Sequence, residues 1–125
     1  MSTSPLMILV AGPYRGGTGD DPTLMARNLA RLEAVTLALF RAGHLPVIGE
    51  WLALPLLRQA GSARPGDAAY EEISYPVAHR LLARRDAVLR LPGASKGADE
   101  DVRRARELRL PVYGALDEVP GIAGC

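Results

Sequence analysis

The sequence predicts one α/β domain of three layers, in which helices cover both faces of a mainly parallel sheet. Apolar runs of strand length alternate along the chain with segments of helical periodicity. The first run, residues 6–11, is uninterrupted in apolar residues, which suits a strand that is covered on both faces. Strands that alternate with helices form parallel sheets with right-handed crossovers. The 125 residues are expected to form a single domain, residues 1–125.

Glycine and proline mark the boundaries of the expected elements. The expected strands are residues 6–11, 45–48, 87–91 and 111–113. The expected helices are residues 22–42 with Gly43 as the stop, 52–57, 70–85 with a kink or a restart near Pro76, and 98–110, and residues 116–119 are expected to form a single turn. The apolar stripe of the first helix contains Leu24, Leu32, Val35 and Leu39.

Composition excludes several classes of function. The formal net charge is +1 and no basic patch dominates, so no nucleic-acid polymer is expected as a partner. The single cysteine, Cys125, allows neither an internal disulfide nor a thiolate metal site, and His44 and His79 are too scattered for a zinc motif. The apolar run near the start is too short to span a bilayer. A cytoplasmic protein without a metal, a cofactor or a membrane partner is the expectation.

A glycine-rich segment follows the first expected strand. It contains Gly12, Pro13, Arg15, Gly16 and Gly17, and four glycines fall within eight residues. Such a loop lets the backbone approach a ligand closely, and free N–H groups beside a helix start attract an anion. The segment lacks the GK[ST] of a P-loop and the spacing of GxGxxG, so a plain turn is the alternative interpretation.

Asp101 is the most informative single residue. It shares a helix face with Ala98, Ala105 and Leu108, and this face is the apolar one that is expected to pack on the sheet. Favourable interaction with the helix dipole is one explanation for an acidic residue near a helix start. The dipole accounts less well for a carboxylate on a buried face, because burial costs more than the dipole returns unless partners are present, so a site role is the alternative explanation.

A carboxylate near the anomeric carbon of a sugar can act as a nucleophile, while a second acidic group protonates the leaving base. The candidates for the second group are Glu50, Glu71, Glu72 and His79, and the sequence does not choose among them. Ligands of parallel sheets collect where the strands end, and the glycine-rich segment, Glu50–Trp51 and residues 95–101 all follow strands.

Three further residues are candidates for contact with a ligand. Tyr14 and Trp51 could offer a stacking surface for a base, and Tyr14 is also placed with the catalytic candidates. Either aromatic ring could instead fill the rim of the core. Asn28 falls on the buried stripe of the first helix, where its amide must find hydrogen-bond partners in the core, in a ligand or in a neighbouring loop.

Three groups of residues carry a resemblance to a known family. They are the loop with Arg15–Gly16–Gly17, the pair Arg85–Asp86, and the spaced set Ser95, Gly97, Asp101, Ala105 and Pro111–Val112. With these residues the chain resembles the nucleoside 2-deoxyribosyltransferase-like superfamily, which includes the 2-deoxynucleoside 5-monophosphate N-glycosidases. The match spans roughly residues 6–115, and the third group is the specific one.

The resemblance implies a flavodoxin- or Rossmann-like sheet and hydrolysis or deoxyribosyl transfer at the N-glycosidic bond of a nucleoside or nucleoside 5-monophosphate. It implies that Asp101 is the covalent nucleophile, that Ser95 and Gly97 hold phosphate or sugar oxygens, and that Arg15, Gly16 and Gly17 line the pocket. A homo-oligomer, a dimer or larger, is implied as well. The family's nucleophile is usually Glu, and Asp is shorter by one methylene. A non-catalytic nucleotide-binding module of the same fold is the alternative.

Overall fold

The computed structural model describes residues 4–122, so Cys125 lies outside the described residues. The described part of the chain contains a four-stranded sheet, five α-helices and one 3₁₀ turn. The strands are β1 (Met7–Ala11), β2 (Leu45–Val47), β3 (Ala87–Arg90) and β4 (Val112–Tyr113). The helices are α1 (Pro22–Glu33), α2 (Thr36–Arg41), α3 (Gly49–Gln59), α4 (Ala68–Leu82) and α5 (Lys96–Glu107), and the 3₁₀ turn is Leu116–Glu118.

All strand pairs are parallel, and the strand order is β2-β1-β3-β4. Side chains alternate across the two central strands because the pleat has a period of two. Ile8 and Val10 of β1 pack with Leu32 and Leu39 on one face of the sheet. Leu9 points to the opposite face of the sheet, where it packs with buried side chains of α4 and α5. The predicted three-layer α/β/α class is therefore confirmed.

The first predicted helix is two helices. α1 ends at Glu33 and α2 begins at Thr36, so the prediction of one helix over residues 22–42 is wrong. The Thr36 hydroxyl donates a hydrogen bond to the Glu33 carbonyl oxygen at 2.7 Å. A β-branched hydroxyl residue that bonds to nearby backbone favours such a break. Met25 is buried on α1 while the predicted Leu24 is half-buried.

The later helices also depart from the predicted bounds. α3 begins at Gly49, so Glu50 stands in its first turn instead of in a loop. α4 runs through Pro76 without ending there. α5 begins at Lys96 because the Ser95 hydroxyl oxygen accepts a hydrogen bond from the Ala98 N–H at 3.0 Å. Leu108 lies past the end of α5 and is 53% exposed, so its predicted packing on the sheet is wrong.

Two polar side chains form hydrogen bonds at the amino-terminal end of β1. His44 is buried, accepts a hydrogen bond from the Leu6 N–H at Nδ1 (3.1 Å) and contacts the Pro120 carbonyl oxygen through Nε2 at 2.7 Å. Since Nδ1 accepts, Nε2 carries the proton and donates. Asp86 Oδ2 accepts a hydrogen bond from the Met7 N–H at 2.8 Å. His44 and Asp86 therefore have structural roles here.

The described helices were compared with the length and hydropathy of a membrane span, and their exposed apolar side chains were located. No helix within residues 4–122 combines the length and the apolar character that a bilayer crossing requires. Large apolar side chains stand exposed on α2 and α3, namely Leu37, Phe40, Leu52 and Leu56.

Candidate functional site

The strand order places a crevice beside the ends of β1 and β3. The chain leaves β1 for β2 on one side and returns to β3 on the other, so the connections after β1 and β3 run in opposite directions. Ligands of open parallel sheets bind at such a reversal, outside the carboxyl ends of the strands. A cavity of about 490 Å³ lies there, which is large enough for a nucleoside-sized ligand.

The cavity walls come from four parts of the chain. They are the end of β1 with the following loop, one face of α3, one face of α4, and the loop before α5 with its first turns. The polar and charged residues that line it are Tyr14, Arg15, Asp20, Glu50, Tyr70, Glu71, Ser74, Tyr75, Ser95, Lys96 and Asp101.

The loop after β1 and the loop after β3 touch closely beside the cavity. A Cβ built on Gly16 would stand 2.5 Å from the Ala94 carbonyl oxygen. A Cβ on Gly93, whose φ is +119°, would stand 2.6 Å from Pro13 Cγ. Glycine is required at both places because no side chain fits between the two loops. The contact fixes the Arg15 side of the cavity against the Ser95 side.

Gly16→Ala is expected to destabilise the fold by about 1–3 kcal/mol, because the methyl group collides with backbone that cannot rotate away. Gly49→Ala is the matched control, since a Cβ there meets no atom within 4 Å from the described residues beyond its chain neighbours and its own helix backbone, and Gly49 does not have a positive φ. Urea unfolding of both variants measures the difference. Equal midpoints for Gly16→Ala and the parent would contradict the close contact.

The Asn28 side chain forms hydrogen bonds with the backbone of the glycine-rich loop. Its side chain is buried and its Nδ2 donates to the Tyr14 carbonyl oxygen at 2.9 Å and to the Gly16 carbonyl oxygen at 3.4 Å. Arg31 donates to its Oδ1 at 3.3 Å. The amide is therefore used by the loop, and Asn28 does not line the cavity. Its place in the site is that of a positioning residue.

Two carboxyl groups, Asp101 and Glu50, line the same cavity. Burial raises the pKa of Asp101 to about 7, and the charges of Glu50 and Glu100 add to it against those of Arg104 and Arg90. Burial also raises the pKa of Glu50, while a hydrogen bond from its own backbone N–H opposes that rise. Both carboxyl groups therefore keep their protons to higher pH than exposed carboxyl groups do, and the negative charge of Glu50 is one of the causes for Asp101.

Aromatic hydroxyl groups stand beside Glu50. Burial, followed by the charges of Tyr70 and Glu50, raises the pKa of Tyr14. Burial is also the largest cause of the raised pKa of Tyr70, against its hydrogen bond with Ser74. Both phenols are therefore neutral at pH 7 and able to donate hydrogen bonds. The Arg15 guanidinium lies over the Tyr70 ring at 5.2 Å from its centroid.

The first turn of α5 forms the opposite wall. Ser95, Lys96 and Gly97 all line the cavity, and a Cβ built on Gly97 meets no described residue within 4 Å other than its chain neighbours and its own helix backbone. The Ser95 side chain is also the cap of the helix. Its hydroxyl hydrogen remains free to donate to a ligand, since the cap uses only an oxygen lone pair.

Several of the predicted site residues lie away from the cavity. Pro13 is buried against Gly93, and Trp51 Nε1 donates to Glu33 Oε2 at 2.7 Å on the outer side of α3. His79 and Glu72, both candidates for the acid, do not line the cavity either. Burial, and then the charge of Arg104, lower the pKa of His79, and its Nε2 is buried without a hydrogen-bond partner in the described chain. Of the four candidates, Glu50 and Glu71 line the cavity.

The sequence analysis considered α4 only as a source of the second acidic group and missed the other side chains that α4 contributes to the cavity. Tyr70, Ser74 and Val77 line the cavity and repeat at intervals of four and three residues, which marks one face of a helix. That mixed polar and aromatic face is the signal that could have predicted a wall of the site. The strand-end rule did not find it because α4 approaches the cavity from the side.

Comparison of the chain with protein-family models, with curated proteins and with solved structures finds no match.

Proposed function

We propose that the protein cleaves or transfers at the N-glycosidic bond of a nucleoside or nucleoside 5-monophosphate, with Asp101 as the nucleophile and Glu50 as the general acid. The observation that carries the proposal is the pair of carboxyl groups in one half-enclosed cavity at the reversal of the strand order. Glycosidic cleavage needs two such groups in different protonation states. The resemblance of Ser95, Gly97 and Asp101 to the superfamily supports the same chemistry.

In the proposed reaction, the Asp101 carboxylate attacks the anomeric carbon while Glu50 gives its proton to the departing base. The C–N bond breaks, its electron pair leaves with the base, and a glycosyl ester forms on Asp101. Glu50 then accepts a proton from water, or from a second base, as that nucleophile resolves the ester. The remaining carboxylate charge in the cavity favours the positive charge that develops on the sugar ring.

A non-catalytic nucleotide-binding module is the second candidate. The raised pKa of Asp101 favours it, because about half of these side chains are protonated near pH 7 and a protonated carboxyl group is a poor nucleophile. This candidate predicts that nucleosides or nucleotides raise the unfolding temperature without release of free base.

Release of free base from a panel of nucleosides and 5-monophosphates, followed by chromatography, tests the first candidate. The rate is expected to rise with pH as Asp101 ionises, around pH 7, and to fall where Glu50 loses its proton. Well below pH 7 Asp101 is protonated and no nucleophile is present, while no acid remains once both carboxyl groups are ionised. A rise in unfolding temperature with no base released at any pH would favour the binding module.

Association into a homo-oligomer belongs to the same proposal. The exposed apolar side chains of α2 and α3, Leu37, Phe40, Leu52 and Leu56, support it because water-exposed apolar surface of this kind favours association.

A further inference from the structure

The guanidinium of Arg15 is already occupied by a neighbour in the same loop. Its Nε donates to Asp20 Oδ1 at 2.7 Å and its Nη2 donates to Asp20 Oδ2 at 3.1 Å. This two-pronged geometry is the one in which a guanidinium binds a carboxylate or a phosphate most strongly. The Arg15 edge that would receive a ligand phosphate is therefore turned toward a carboxylate of the protein.

The loop between Arg15 and Asp20 is built to hold that pair. The Thr18 side chain, which is buried, donates from its hydroxyl to the Arg15 carbonyl oxygen at 2.6 Å and accepts from the Asp20 N–H at 3.1 Å. Asp20 has a φ of +63°, a left-handed conformation that Asp and Asn adopt more readily than most residues. The pair follows from the local backbone and is not a chance meeting of two long side chains.

The other charges of the cavity do not favour an anion. Among residues 4–122, the cavity is lined by four carboxyl groups, those of Asp20, Glu50, Glu71 and Asp101, and by two cations, Arg15 and Lys96. At the start of α5, where N–H groups could attract phosphate, the Ala98 N–H is bonded to Ser95 Oγ. A 5-phosphate, with a charge between −1.5 and −2 near pH 7, would have to displace Asp20 or lie among carboxylates.

We infer that the substrate is an uncharged nucleoside without a 5-phosphate, and that the Arg15–Asp20 pair excludes the monophosphate. This inference rests on the proposed function and narrows its substrate class. An uncharged nucleoside meets no repulsion from the carboxyl groups, and its hydroxyl groups can donate hydrogen bonds to them.

Initial rates of base release from matched nucleosides and their 5-monophosphates test this choice. The parent protein is expected to favour the nucleoside by about tenfold or more in kcat/KM. Asp20→Asn removes the carboxylate that pairs with the Arg15 guanidinium, and it keeps the side-chain shape and the tolerance of positive φ. The ratio of kcat/KM for the nucleoside to kcat/KM for its 5-monophosphate is expected to fall by about tenfold in this variant. Asp20→Gly, which also tolerates positive φ, is expected to act in the same way.

Asp21→Asn is the matched control, because it removes one negative charge next door and keeps the oxygen that caps α1. Asp21 Oδ1 accepts from the Thr23 N–H at 2.8 Å, and Asp21 does not line the cavity. The nucleoside preference is expected to be unchanged in this variant. Unfolding temperatures of all variants show that each is folded before its rates are compared.

The outcomes separate the inference from the proposed function. Faster release of base from the monophosphate by the parent, or an unchanged preference in folded Asp20→Asn and Asp20→Gly, would overturn the inference and leave the glycosidase proposal standing. If no base is released from any compound, the glycosidase proposal fails. The two ligand classes are then compared by their effect on unfolding temperature, where a larger shift with monophosphates, or a shift with neither class, overturns the inference as well.

Discussion

Replacing Asp101 with Asn is expected to slow base release by at least on the order of 10³-fold, because an amide cannot form the glycosyl ester. The same replacement is expected to make the fold more stable at pH 8. Burial holds the pKa of Asp101 at about 7 against an ordinary value of 3.8, so ionisation of this side chain opposes folding. The difference between the two pKa values corresponds to about 4 kcal/mol at most.

The pH dependence of that stability gain identifies its cause. Below about pH 4, Asp101 is protonated in both the folded and the unfolded chain, and the variant and the parent should be equally stable. Between pH 4 and 7 the unfolded chain loses the proton and the folded chain keeps it. The parent therefore loses stability through this range, and the advantage of Asp101→Asn should grow to about 2–4 kcal/mol and level off above pH 7.

Urea unfolding at pH 4, 6 and 8 measures this effect, with Asp99→Asn as the control. Asp99 lies two residues away on α5, with its side chain 73% exposed in an ion pair with Arg90, and its replacement should change stability little at any pH. An Asp101→Asn protein that releases base at the parental rate would remove Asp101 from the mechanism. A stability difference that does not vary with pH would show that the carboxyl group is not held protonated by the fold.

Glu50→Gln is expected to have the second largest effect, a loss of about 10²–10⁴-fold in base release from ordinary nucleosides. The loss should be much smaller for a nucleoside whose purine is methylated at N7, because that base already carries a positive charge and leaves without protonation. Asp101→Asn should slow both substrates alike, since both need the nucleophile.

Glu71→Gln is the control for this pair of measurements. Glu71 also lines the cavity, and its side chain is exposed. Its replacement should leave the ratio of the two rates unchanged, because Glu71 is not the proton donor in the proposed reaction. Equal losses for methylated and ordinary nucleosides in Glu50→Gln would contradict the role of Glu50 as the acid and would favour Glu50 itself as the nucleophile.

The sequence predicts the sheet well because a strand covered on both faces consists of an uninterrupted run of apolar residues. Residues 6–11 form such a run, and β1 occupies Met7–Ala11 with Ile8 fully buried. The helix pattern around Asp101 likewise predicts a carboxyl group on the buried face of a helix, and Asp101 is half-buried on α5. Periodicity and strand-end position thus account for one side of the cavity.

The other side depends on geometry that local patterns do not contain. Glu50 and Trp51 are adjacent in sequence, and their position after β2 predicts both near a ligand. Because α3 begins at Gly49, the two side chains are turned by about 100° from one another, so Glu50 lines the cavity and Trp51 bonds to Glu33 outside it. The start of a helix is the least predictable of its features, and here it decides which residue meets the cavity.

The buried His44 joins two remote parts of the chain at one edge of the sheet, through Leu6 at the start of β1 and Pro120 near the other end of the described segment. The cavity lies at the other end of the strands, roughly 15 Å away along the five residues of β1. A label coupled to the exposed position 4 or 5, just before β1, would therefore lie at the end of the sheet remote from the cavity. A binding assay that couples the protein to a surface through such a position can leave the cavity open to solution.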